Sequence, residues 1–221
     1  MKRIISLLLV VTSSVFLSSC ISNTVSVVKQ EEQGVVIKQN QTNTKPLSVA
    51  IARFENKSDY NSGVFANSSL AQQGLDTLVQ TMTQSGYYQV MNRSLIQFAN
   101  YESELNGYQF KAEGARYLVS AAITEFGRRS ETRQVLYGLA GKSKSEIAYA
   151  TVVINLIDTR NGAVVLSTTG TTQIDITGTR VLGSGGYVSY DSTQMQRVLT
   201  LAIREAVNNL TTETLNRNLH N

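Results

Sequence analysis

One cysteine, Cys20, stands among the 221 residues of this chain. A lone thiol cannot close a disulfide within the chain, so any fold must be held by buried apolar surface. The supply is adequate: 42% of the residues are hydrophobic, enough at this length for one sizeable core, or one core with an appendage. The formal net charge is +4, but the basic residues are scattered, which leaves nucleic acid no footprint to bind. The only histidine is His220, in a polar stretch from Thr211 to Asn221 that is expected to fray, so histidine-based catalysis and histidine-ligated metal have nothing to run on. Glu55 with Asp59, and Glu102 with Glu104, read as solvated surface charges rather than acid–base pairs. The expectation is a non-enzymatic protein with no catalytic residues, no metal and no cofactor.

Met1-Lys2-Arg3 followed by an apolar run from Ile4 to Phe16 has the proportions of a secretory signal. The run is too short and too often broken by Ser to be a stable membrane-spanning helix. It leads into Leu17-Ser18-Ser19-Cys20, which resembles the lipobox cut by the lipoprotein signal peptidase. Residues 1–19 are therefore expected to be removed and Cys20 to carry the lipid. Ile21 and Ser22 follow, without the Asp that retains enteric lipoproteins in the inner membrane, so the expected location is the outer membrane, lipid-anchored and facing the periplasm. Residues 20–45, rich in Gln, Asn, Thr, Ser and Val and ending near the single proline, Pro46, read as a tether, with Val35 to Lys38 as a candidate edge strand.

Residues 46–217 read as one α/β domain: a mixed β-sheet sandwiched with helices. Leu47 to Phe54 alternates as a buried strand, and Leu70 to Ser85 has helical spacing with Ser68 or Ser69 as N-cap and Gly86 at C′. Tyr87 to Met91 is a short strand; Ser94 caps a helix that Asn106-Gly107 ends; Lys111 to Ala115 is a helical turn. Arg116 to Phe126 and Ile147 to Ile157 are central strands, the second apolar enough to be covered on both faces. Asp158 to Gly162 turns the chain into an antiparallel neighbour, Ala163 to Thr168, and a final helix carries Met195, Val198, Leu199, Ala202, Ile203, Ala206, Val207 and Leu210 on one stripe.

Three stretches exceed what such a core needs. The loop from Glu55 to Ser69 embeds Tyr60 and Phe65 in an Asn/Ser/Gly-rich composition. Residues 127–146 and 169–191 are insertions longer than ordinary connections, each able to fold as an extended β-hairpin. Such hairpins are either solvent-exposed or contributions to an oligomeric outer-membrane barrel.

The lipobox, the strand ending Ala52-Arg53-Phe54-Glu55-Asn56, the helix from Leu70, the segment Gly114 to Phe126 and the segment Ile147 to Leu166, with Asn155-Leu156-Ile157-Asp158-Thr159-Arg160-Asn161-Gly162 at its centre, together resemble the CsgG/HfaB family. Order and spacing from about Leu47 to Leu215 carry the likeness. The family's best-known member is the outer-membrane curli secretion lipoprotein, a ring whose subunits each donate two hairpins to a shared β-barrel above a periplasmic α/β domain. The resemblance implies an outer-membrane component of a secretion or assembly system, a homo-oligomer handling curli-like or adhesin subunits, with exported subunits or accessory assembly proteins as partners. In that channel a loop after the first strand narrows the pore with a Tyr and an adjacent Asn-Phe pair. The corresponding loop here holds Tyr60, Asn61, Phe65 and Asn67 at a different spacing, and these are the candidates for a pore constriction or docking loop. Arg128, Arg129, Asp175 and Arg180 interrupt the hairpin segments, and charges are costly on a lipid face. The alternative is a periplasm-facing lipoprotein that binds and activates a cell-envelope enzyme as a monomer, without a pore.

Overall fold

Small and β-branched residues at alternate positions build a five-stranded sheet in the order β2-β1-β3-β4-β5. Its strands are β1 (Leu47–Asn56), β2 (Tyr88–Met91), β3 (Tyr117–Gln134), β4 (Lys142–Asp158) and β5 (Val164–Asp175); the helices are α1 (Asn67–Ser85), α2 (Ile96–Leu105) and α3 (Asp191–Asn216). This computed structural model describes residues 35–41, 43–60, 67–91, 95–109, 111, 113–134, 142–176 and 191–220. β1 pairs parallel with β2 and with β3, whereas β4 pairs antiparallel with β3 and β5. Among the described residues the fold is therefore a mixed α/β fold of five strands and three helices, as the residue pattern implied.

α1 and α3 lie side by side on one face of the sheet. Beneath them Val119, Ile123, Val152, Ile154 and Leu156 meet Leu199, Ile203 and Leu210 with essentially no exposure, each such side chain contributing about 1.5–3 kcal/mol on burial. Gly170 in β5 lets α3 come close: a β-carbon there would overlap the Ala202 carbonyl and the Ala206 amide. A bulge between Ile123 and Glu125 adds one residue to β3, and this turns Phe126 onto the covered face while Glu125 faces solvent. The covering is one-sided. Along β4, Ala148, Ala150, Val152, Ile154 and Leu156 are buried, but Tyr149, Thr151, Val153 and Asn155 are half-exposed, which corrects the expectation of a strand covered on both faces.

Several boundaries move. The first insertion is a continuation of its strands: β3 and β4 stay paired out to Gln134 and Lys142. The second begins as more of β5, whose Thr169 to Asp175 pairs with β4; residues 177–190 lie outside the described set. α1 starts at Asn67, so Ser68 and Ser69 sit inside its first turn. Leu95 occupies the N-cap of α2 and makes no side-chain cap bond, while Ser94 lies outside the described residues. Lys111 and Glu113 to Ala115 are not helical. Gly86 and Gly162 take positive φ at the helix end and hairpin turn expected of them.

The C-terminus does not fray. α3 runs on to Asn216, and Thr211, Thr214 and His220 are buried. Threonine can be buried here because its hydroxyl has a partner within the helix: Thr211 Oγ1 donates to the Val207 carbonyl at 2.9 Å and Thr214 Oγ1 to that of Thr211 at 3.0 Å. Polarity was a poor guide to exposure because it left this bonding out.

Candidate functional site

Tyr60 is the one candidate loop residue whose side chain lies in the described set. Its ring meets Phe126 edge-on, with centroids 5.1 Å apart and planes at 90°, and it packs against the rim of the covered core. Asn56 steadies the approach, accepting from the Ser58 hydroxyl at 2.6 Å and donating to the Tyr60 carbonyl at 3.4 Å. Cys20, Asn61 and Phe65 lie outside the described residues, as does the side chain of Asn67, whose backbone opens α1.

Past the last β5 pairing, at Ile147 and Asp175, β3 and β4 carry on as a two-stranded arm, and β3 is exposed at Arg128, Arg129 and Ser130. At its root the open face gathers polar groups. Thr151 Oγ1 donates to Glu125 Oε2 at 3.0 Å, and the Arg129 guanidinium lies 5.6 Å from the Tyr149 ring centre while donating to Gln173 Oε1 at 3.0 Å. With Ser58 and Asp59 these side chains frame a cleft of about 300 Å³. Next to it, a β-carbon at Gly127 would stand 2.9 Å from the Tyr149 hydroxyl.

A second polar constellation joins the two ends of the domain. Residues 35–41, expected as the end of a tether, run along α3 instead. The Asn208 side chain accepts from Lys38 N and donates to the Val36 carbonyl, both at 2.8 Å, so one side-chain amide pairs with the strap as a strand would. Tyr87 OH donates to the Gln39 carbonyl at 3.2 Å. His220 closes the clasp, with Nδ1 3.1 Å from the Lys45 carbonyl, Nε2 3.1 Å from Thr214 Oγ1, and its ring against Tyr87 and Tyr88. Burial pushes the Tyr88 hydroxyl, 3.2 Å from Thr211 Oγ1, up to about 12. Arg204 and Asn208, one helical turn apart, flank the strap, as does Thr212, whose Oγ1 accepts from Lys38 Nζ at 3.4 Å. That spacing of four on the polar side of α3 was the available signal for this clasp.

Residues 29–221 match the family model described as "Curli production assembly/transport component CsgG". The chain belongs to the CsgG family. A relative from Neisseria meningitidis serogroup B, named as a candidate lipoprotein, is 32% identical over 212 residues, covering 95% of this chain and 94% of its own. The chain is thus a CsgG-family protein related to envelope lipoproteins. Among solved structures it is similar to a Xanthomonas campestris protein at 12% identity, covering 84% of this chain and 95% of that one with a TM-score of 0.48. It is also similar to the PelC dodecamer from Paraburkholderia phytofirmans at 19% identity, covering 79% and 94% with a TM-score of 0.39.

Proposed function

We propose that this chain is an outer-membrane lipoprotein, anchored by lipid on Cys20 and facing the periplasm, whose domains join identical copies in a ring that exports or attaches curli-like or adhesin subunits. It works by assembly and binding rather than catalysis. The observation that carries the reading is the shared direction of the arm and the strap. β3 runs toward the arm and α3 runs away from it; the strap, followed backward from Lys38 beside Thr212 to Val35 in the groove with Arg204, climbs α3 toward the arm end. Fourteen residues lie between Cys20 and Val35, so the two are at most about 50 Å apart along extended chain. A lipid on Cys20 would hold Val35, the first described residue of the strap, within that distance of the membrane.

One observation favours the poreless alternative, a lipoprotein that activates a partner enzyme of the cell envelope. The arm carries Arg128, Arg129, Arg133, Lys142 and Lys144, distributed over both faces of the β3–β4 pair, and a cation on the lipid face at the middle of a bilayer costs a barrel about 2–4 kcal/mol. The deciding experiment is the mass of the lipidated protein gently extracted from outer membranes. A large closed particle supports the ring, whereas a single chain that holds a partner enzyme through purification sinks it.

A further inference from the structure

The two edges of the sheet differ in length and in how they are closed. β2 ends the sheet with four residues, Tyr88–Met91, whereas β5 ends it with twelve, Val164–Asp175. Shortness alone protects the first edge. A long edge strand offers a row of backbone N–H and C=O groups to any strand that comes alongside, and folded proteins blunt such an edge with Lys, Pro or charge on the strand itself. From Val164 to Gln173 β5 has none of these, only Val, Leu, Ser, Thr, Gly and Gln, and among the described residues no strand lies on its far side. That composition suits a segment that pairs readily with copies of itself.

The cover comes from α3. Arg217 Nη1, just past the helix end, donates to the Val165 carbonyl at 3.0 Å, Asn209 Nδ2 donates to the Thr169 carbonyl at 2.8 Å, and Glu205 Oε2 accepts from Thr171 N at 2.9 Å. Along an antiparallel edge strand the backbone groups point alternately toward the neighbour and away from it, and these three point away from β4. The chemistry matches at each end of the column: the donor-only guanidinium meets a carbonyl and the acceptor-only carboxylate meets an N–H. The spacing matches too. Four residues of helix advance about 6 Å and two residues of strand about 6.6–6.8 Å, so positions 217, 209 and 205 of a helix running opposite to β5 stay level with positions 165, 169 and 171. Glu213, the remaining member of the column, lines the same groove along β5 as Asn209 and Arg217. A strand joining β5 would have to displace these side chains from the backbone groups it needs.

We infer that Glu205, Asn209 and Arg217 guard the β5 edge, keeping it from adding a strand from a second copy of this chain. The guard acts at this edge whether or not copies join through other surfaces, so it stands apart from the ring reading. The test compares particle mass at rising concentration for the full-length wild type in detergent, a Glu205→Ala/Asn209→Ala/Arg217→Ala variant, the same variant with Thr169→Pro added, and Leu199→Ala. Proline at position 169 removes an outward N–H and leaves the bonds to β4, which the residues on either side make. Leu199→Ala loosens the core with the guard in place. The expected results are multiples of the wild-type mass that grow with concentration, with thioflavin T binding, for the triple variant alone, and a return to the wild-type mass when the proline is added. A triple variant that keeps the wild-type mass overturns the guard. So does association that the proline does not reverse, or that Leu199→Ala shows equally, since it would then come from lost stability. If the triple variant does not fold, Asn209→Asp, which sets an acceptor against the Thr169 carbonyl, takes its place with the same outcomes.

Discussion

Tyr117 to Phe126 and Gly127 to Gln134 are consecutive parts of one strand, yet they stand in two different environments. In the first, Val119, Ala121 and Ile123 lie under α1 and α3 with almost no exposure. In the second, Arg128, Arg129 and Ser130 face water while the backbone stays paired antiparallel with β4, one residue out of the register of Tyr117 to Ile123 because of the bulge. Strand pairing therefore does not require the helices. The covered part is what the helices need, and the arm is what the sheet can extend once it is anchored.

If that division is right, the heaviest damage comes from the covered part. Gly170→Val should cost 3 kcal/mol or more, on the order expected for severe overpacking, because its side chain would strike the α3 backbone at Ala202 and Ala206; urea unfolding followed by circular dichroism measures it. Leu199→Ala, at 1% exposure, should cost about 2–5 kcal/mol by the same assay. Asn208→Ala removes both strap bonds and should cost about 1–2 kcal/mol, with faster amide exchange at Lys38 and little change in the strands. Arg128→Ala in the arm should fall within about 0.5 kcal/mol of wild type. A large loss there would show that the arm is part of the core.

Protonation sharpens the comparison at the domain's other end. The Tyr88 hydroxyl titrates near 12 in the fold against 10 when exposed, so its contribution is complete below pH 10 and disappears as the pH rises to 12. Tyr88→Phe should remove that part of the alkaline loss of stability. Asp158 runs the opposite way. The hydrogen bonds from Arg160 beside it hold its carboxyl down to about 2, so its contribution holds above pH 4 and is lost on acidification toward pH 2. Thermal midpoints across both ranges check the two signs, and Arg160→Ala should narrow the acid-sensitive window.

What could be read from residue types follows the same division. The strands and helices of the covered part were legible because Met195 to Leu210 repeats at helical spacing and Leu47 to Phe54 alternates, whereas the one-sided cover of β4 was not, since Val153 on its open face is as apolar as Val152 and Ile154. The arm was legible as excess length able to form a hairpin, and its strands do stay paired out to Gln134 and Lys142; its register was not legible, because that is set by the anchored strands behind it. The clasp was misread outright. Thr211, Thr214 and His220 look like a solvated tail, and only the hydroxyl bonds to their own helix and the cover given by Tyr87, Tyr88 and the Lys45 carbonyl make their burial tolerable. Tyr60 was legible as an unusual aromatic in a loop, but composition alone could not say that its ring would rest on Phe126.

The most direct test replaces residues 130–146 with a two-residue Asn-Gly turn between Arg129 and Ile147, which already face each other across the hairpin. Thermal midpoint and particle mass are then measured on the lipidated protein. The account requires a folded domain, with its midpoint within about 4 °C of wild type, that no longer assembles. An armless chain that fails to fold, or one that still forms the full particle, would contradict it.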